Sequence, residues 1–535
     1  MKGMRFFMIG IFFLLFAVSS VSAQEKAYNP VFEPVYYDVV QELMEYEFAN
    51  SDVMENANMI TNIFGGRMSK TPSYRAAAEW ARDRLKEYGY ANAHLEPYEF
   101  GNGWDFDYVS VHMTSPDYVP IIAFPTLWSS GSDGKVRAQA IHINFDEIKS
   151  VDDLEQYRGK LKDRIIFIMP IQEISPYMGV QMWNRAGTFR HENGYPVEYS
   201  KERLDEKSKR AIGPTAPRER RRRGPSELKQ QIIDFVFAEG AVAIAKTDAV
   251  HYFGTVAGTG RWNNIQNPWD VNSPTRPLEL VMAVEHYNRV LHILEEGIPV
   301  EMELEVRTTL YEGDPTDYNV IAEIPGTDLA HEIVINAAHL QSLPHGTGAI
   351  DNAAGSVTAM EAMRILKAIG VKPRRTIRLG LWGGHDGSGD SGQTAHVYQH
   401  FADPRTKEYK KDYDNHVITF NQDLGPSAMR GIQAAGSEVL RGIFKEWIKP
   451  LHGLGFEHIY TGRDPGAGLK GVGLLGLKFD QDAYDMLDYI AHVNMDTYER
   501  LYPEGMMQAS VVVATFLYHA AMRDEKLPRL SPRPW

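Results

Sequence analysis

The chain has no cysteine. That excludes disulfides, thiol catalysis, cysteine-ligated zinc and lipidation of an N-terminal cysteine, so stability has to come from packing and from any bound metal. It also lacks any excess of positive charge, with a formal net charge of −14. An acidic balance argues against a nucleic-acid or anionic-membrane binder. Beyond the first residues no apolar run suits a membrane span, and no long internal repeat is visible. His331-Glu332 is without the second histidine of a helical zinc-protease motif.

What is present begins with a leader pattern. Lys2 and Arg5 precede an apolar run from Phe6 to Val18, and Val21-Ser22-Ala23 offers small residues for cleavage. This reads as a signal peptide over 1–23, which predicts export to a periplasmic or extracellular space and no membrane attachment after cleavage. At 535 residues, 43 % of them hydrophobic, the chain exceeds a single core and predicts two or more domains.

Chemistry-bearing residues concentrate where strands should end. Ile333 to Ala338 is a short apolar run suited to a strand buried on both faces, and Val357, Met360, Met363 and Leu366 then recur at helical spacing. The loop between them carries His339, Gln341, His345 and Asp351. Arg375 to Trp382 alternates like a strand and leads into Gly383, Gly384, His385 and Asp386. Val417 to Phe420 leads into Asn421, Gln422 and Asp423, and the apolar run Val472 to Leu477 precedes His492. In an open α/β sheet, loops at the carboxyl ends of strands share a crevice where ligands bind. Imidazole and carboxylate donors gathered there suit zinc. Each residue also has a plainer alternative: Asp351 as a helix N-cap, Asp423 as a turn residue, the histidines as satisfied core side chains.

Taken together, these segments resemble the co-catalytic zinc exopeptidases, the family of secreted aminopeptidases and plasma glutamate carboxypeptidase. The resemblance extends to FGGRMSKTPSYRAAAEWARDRLKEYGY, to NVIAEIPGTD and to YHAAMRDEKLPR, and so spans nearly the whole mature chain. It implies an α/β fold, a mixed and largely parallel sheet flanked by helices, in two segments at 24–115 and 300–527. A mainly-β protease-associated insertion is implied at 116–299, with a charged loop at 201–230 that includes Arg218 and Arg220 to Arg223. It further implies up to two zinc ions, one held by His339, Asp351 and Asp423, the other by Asp351, Asp386 and His492.

The departures from the family bear on activity. Family members carry two consecutive glutamates after the third strand, the first a general base and the second a ligand; here they read His385 and Asp386. His385 could serve as base, occupy an ion's open position, or fill space. Gln341 replaces a carboxylate expected to orient His339, and Arg463-Asp464-Pro465 replaces a Thr-Asp-His. Gly387 to Gly392 includes Ser391, but Gln393 stands where a nucleophile elbow would need glycine. The sequence therefore predicts a metallo-exopeptidase-like protein acting on N-terminal residues or small peptides. The alternative is a non-catalytic metal-binding or peptide-binding homologue on the same fold. Oligomeric state is left open.

Overall fold

In a computed structural model of the protein, the residues described are 33–172, 227–247, 253–259, 267–274, 276–388, 391–423, 425–460, 469–482, 490–530 and 534–535. The leader at 1–23, Arg218 and Arg220 to Arg223, and Arg463 to Pro465 lie outside them.

The fold is mixed α/β and built on two sheets of eight strands. After β1 (Ala91–Glu99) the chain forms all of the second sheet: β2 (Gly103–Ser115), β3 (Val119–Pro120), β4 (Ala123–Pro125), β5 (Val136–His142), β6 (Arg164–Phe167), β7 (Ala243–Thr247), β8 (Glu279–Met282) and β9 (Glu301–Tyr311). It returns to the first sheet with β10 (Thr316–Ile324), β11 (Leu329–His339) and β12 (Arg375–Trp382). A short hairpin of β13 (Ala402–Asp403) and β14 (Glu408–Tyr409) follows. The last four strands are β15 (His416–Gln422), β16 (Met429–Gln433), β17 (His458–Tyr460) and β18 (Gly476–Gln481).

Across the first sheet the order is β1-β10-β12-β11-β15-β18-β16-β17. The neighbours β12, β11, β15 and β18 run parallel. From β11 the chain crosses first to β12 on one side and later to β15 on the other, so a topological switch lies at the carboxyl end of β11.

Burial explains why these segments take these forms. Val334 to His339 are buried without alternation, as a central parallel strand requires. The helix Ala354–Ala368 is buried from Ala354 to Leu366 because it packs against both the sheet and the helix Pro503–Met522. That last helix is long and apolar enough to cross a membrane, yet nearly all of it is buried here as a core element. The helix Pro72–Glu87 starts where Thr71 accepts a hydrogen bond from the Tyr74 amide and Pro72 supplies a preset φ.

The second sheet is also flanked by helices. Ile165 and Phe167 face Tyr287, Val290 and Leu291 of the helix Val284–Glu295, while Ile166 and Ile168 face Ile232, Ile233 and Val236 of the helix Glu227–Ala238. Its strand pair β2 and β9, joined from Gly103↔Tyr311 to Ser115↔Glu301, lies outside the 116–299 expected for the inserted unit. Their place in this sheet is set by pairing between segments far apart in the chain. The second sheet's region reaches back to the first through Ala257, bridged to Val493, and through Val256, whose amide donates to Asn494 Oδ1 at 2.8 Å.

Three of the buried histidines lie outside any cluster of carboxylates. His345, with Nε2 2.9 Å from the Pro125 carbonyl oxygen, sits among Phe106 and Phe124. Burial pushes it down to about 4, and burial likewise pushes His416 down to about 3 and His519 to about 4. Each stays neutral in the folded chain but takes up a proton near pH 6.5 when unfolded, so its stabilisation is full above pH 6.5 and is lost as pH falls toward 4. For His345 alone this amounts to about 3 kcal/mol. The melting temperature should therefore fall between pH 7 and pH 4, with a shallower slope in His345→Gln. Equal slopes would show that His345 protonates without penalty.

Candidate metal centre

Four strand ends deliver the donors. His339 is the last residue of β11; Asp386 follows the turn after β12; Asp423 follows β15 directly; His492 lies beyond β18. Asp351 sits in the irregular turn before the helix Ala354–Ala368, at φ −122° and ψ 91°. It is not an N-cap. Its neighbour Asn352 does that work, with Oδ1 accepting from the Gly355 amide at 3.0 Å.

The five side chains form two triads that share Asp351. In the first, His339 Nε2 lies 3.1 Å from Asp351 Oδ1 and 3.3 Å from Asp423 Oδ1. In the second, His492 Nε2 lies 2.8 Å from Asp351 Oδ2 and 3.4 Å from Asp386 Oδ1. Ligands around a tetrahedral zinc, with bonds of about 2.0–2.1 Å, are separated by about 3.3 Å. Three of the four separations match.

Two orphaned atoms strengthen the fit. Asp386 Oδ2 and His492 Nε2 are buried without a hydrogen-bond partner, although carboxylate oxygens stand close to the imidazole nitrogen. His492 also adopts φ 68°, a left-handed conformation uncommon outside glycine. The donor set is imidazole and carboxylate, which zinc accepts.

The field is strongly negative. Burial opposes charge on His339, but Asp386, Asp351 and Asp423 together raise it well above the ordinary histidine value. His492 rises to about 10: burial lowers it, and the close carboxylates of Asp351 and Asp386 outweigh that. Burial would raise Asp423 and Asp386, but His339 and its neighbours hold both well below the carboxylate range. A cation is strongly favoured at this point.

Several supporting residues are absent from the sequence reading. Lys478 on β18 donates to Asp423 Oδ2 at 2.7 Å, which leaves Oδ1 facing His339. Asp496 accepts from the amides of Ile350 at 2.6 Å and Asp351 at 3.2 Å, so it fixes the turn that presents Asp351. Burial, with Asp351 nearby, raises Asp496 to about 7. The buried Arg67 guanidinium donates to the carbonyl oxygens of Leu340, Thr347 and Gly348, closing the loop after β11. None of these pairings has a local signal.

Gln341 acts differently from expectation. His339 Nδ1 lies 2.8 Å from the main-chain oxygen of Gln341, so a carbonyl orients the imidazole. The Gln341 side chain instead crosses to the next loop, where Oε1 accepts from the amides of His385 at 3.2 Å and Asp386 at 2.7 Å. His385 lies flat on His339, ring centroids 3.9 Å apart and planes at 9°, with Nδ1 3.2 Å from Asp386 Oδ1. His345 belongs to neither triad and is buried as a packing residue. Ser391 opens the helix Ser391–His400 and donates to the Gly384 carbonyl oxygen, closing the loop.

Comparison with known proteins agrees with this geometry. Residues 319–517 match the model of Peptidase family M28. This segment, less than half of the chain, resembles a Peptidase family M28 domain and supports kinship with the co-catalytic zinc exopeptidases. Carboxypeptidase Q of Homo sapiens is 28 % identical over 255 residues, 46 % of this chain and 50 % of that protein. The chain thus spans about half the length of the first curated relatives it matches. Carboxypeptidase Q of Bos taurus aligns at 22 % identity over 99 % of this chain and all of that protein. Among solved structures, a peptidase M28 precursor from Shewanella amazonensis SB2B has a TM-score of 0.63 at 22 % identity, covering 93 % of this chain and 99 % of that one. A zinc aminopeptidase from Bacillus subtilis has a TM-score of 0.53 at 13 % identity, covering 89 % and 96 %. At these identities the structures establish the fold.

Gln341→Ala removes the acceptor shared by two amides next to Asp386. Because partners behind a ligand tune metal affinity by roughly 10 to 100-fold, zinc binding in a competition titration should weaken by about that factor. Unchanged affinity would mean that Asp386 is positioned without Gln341.

Proposed function

We propose that the protein is an exported metallo-exopeptidase with slow turnover, binding two divalent ions through His339, Asp351, Asp423, Asp386 and His492. The observation that carries this reading is the pair of triads joined through Asp351 at near-tetrahedral donor separations. Zinc is the ion favoured by the donor types, and by likeness to a zinc aminopeptidase fold. Export rests on the leader pattern at 1–23. The segment carrying the second sheet is read as a protease-associated insertion that borders the cleft, since Ala257 pairs beside His492.

Zinc held by these five residues would supply Lewis acidity toward a carbonyl and a water. The chain's own part is to hold the donors, with Asp351 fixed by Asp496, Asp423 by Lys478, and the His385–Asp386 turn by Gln341. His385 occupies the position of the base that would carry a proton from water to the departing amine. Its ring is packed on His339 and its Nδ1 faces Asp386. An imidazole beside dications is a poor holder of a proton, because nearby positive charge disfavours the imidazolium. Small peptides with a free terminus are the substrate class, by resemblance to exopeptidases.

General acid–base catalysis contributes roughly 10² to 10⁴-fold. His385→Glu should therefore raise kcat/KM on at least one aminoacyl or dipeptide substrate by about 10²-fold at equal zinc occupancy. Vigorous wild-type hydrolysis abolished by His385→Glu would make His385 the working base. Two bound ions with no hydrolysis by either form would favour a binding role on this fold.

A further inference from the structure

A second group of donors lies away from the main centre. His396 and His400 are four residues apart on one face of the helix Ser391–His400, and Glu96 on β1 reaches both. Glu96 Oε2 is 2.8 Å from His396 Nδ1, and Glu96 Oε1 is 2.6 Å from His400 Nε2. Glu96 and His396 are buried, whereas the His400 side chain is about a third exposed, at 35 %. Two histidines at i and i+4 with one carboxylate are a zinc-type donor set, and the exposed side supplies an open position.

We infer that Glu96, His396 and His400 form an additional site for one transition-metal ion. The three donor atoms lie within 4.8 Å of one another. Asn319 Nδ2 donates to Glu96 Oε2 at 3.2 Å and so orients the carboxylate, the part an outer partner plays in metal sites. In the present arrangement His396 Nδ1 carries the proton and donates it to Glu96 Oε2, and Nε2 is buried without a hydrogen-bond partner, so binding an ion requires the proton to move to Nε2. Each imidazole can place its single proton on the other nitrogen and give the facing lone pair to the ion, with no net proton release. The present separations are those of hydrogen bonds, shorter than the roughly 3.3 Å between ligands of a tetrahedral ion. His400, at the helix end and partly exposed, is the donor able to move outward.

The site would brace the turn that carries Asp386. Asn319 Oδ1 accepts from the Gly383 amide at 3.1 Å, and its Nδ2 also donates to the Gly392 carbonyl oxygen at 3.0 Å, so it pins both ends of that turn. An ion tying the helix Ser391–His400 to β1 would hold this network from outside. The ion acts at a distance from the two triads and is counted separately from theirs.

The test uses the full chain loaded with cobalt(II), with ions counted by elemental analysis and imidazole ligation followed by visible absorption. With the main centre disabled by His339→Ala and His492→Ala, one cobalt per chain should remain, and adding His400→Ala should remove it. No bound cobalt in the double variant, or one that survives His400→Ala together with Glu96→Gln, would overturn the assignment. Should the double variant fail to fold, wild type is compared with His400→Ala alone: one cobalt fewer per chain supports the site, and equal counts overturn it.

Discussion

Three aspartates whose oxygens converge within a few ångströms, almost wholly out of water, set the central constraint. Buried like charges repel, and an unpaired buried carboxylate is costly, so the arrangement persists only with positive charge among the carboxylates. His339, His492 and Lys478 surround them, and the donor separations leave places for divalent ions. Much of the surrounding hydrogen bonding serves to hold this concentration of charge. Arg67 and Asp496 secure the loop after β11, and Gln341 and Asn319 secure the loop after β12.

The fold makes that convergence possible. Parallel strands point their carboxyl ends the same way, and crossing from β11 to opposite sides opens a crevice at the switch. Each strand then needs to contribute only one or two polar residues at its end. Buried helices on one face, above all Ala354–Ala368 and Pro503–Met522, fix the strands against movement, so donors from distant parts of the sequence meet at hydrogen-bond distances. The second sheet enters the same architecture through Ala257 and Val493, beside His492.

The strands of the central sheet were legible because Ile333 to Ala338 is the short apolar run that a doubly covered strand needs, and Arg375 to Trp382 alternates like a strand. The donors were legible because each follows such a run. Lys478 looks like an ordinary polar residue in a strand, and Asp496 like one residue of a charged loop; their roles depend on contacts across 55 and 145 residues. Gln341 shows a different limit. Its position was legible, but whether its main chain or its side chain meets His339 depends on the path of the loop. The extent of the second sheet was hidden likewise, since the place of β2 and β9 is set by pairing between segments far apart in the chain. For Glu96, the i, i+4 histidines are visible in sequence, but their partner lies 300 residues earlier.

The central claim is that the carboxylates are arranged for two ions bridged by Asp351. Anomalous diffraction at the zinc edge from crystals of the zinc-loaded protein addresses it most directly. The account predicts two peaks, one among His339, Asp351 and Asp423 and one among Asp351, Asp386 and His492, with Asp351 between them. A single peak held by His339, His385 and Asp386, or no peak among these residues, would contradict it.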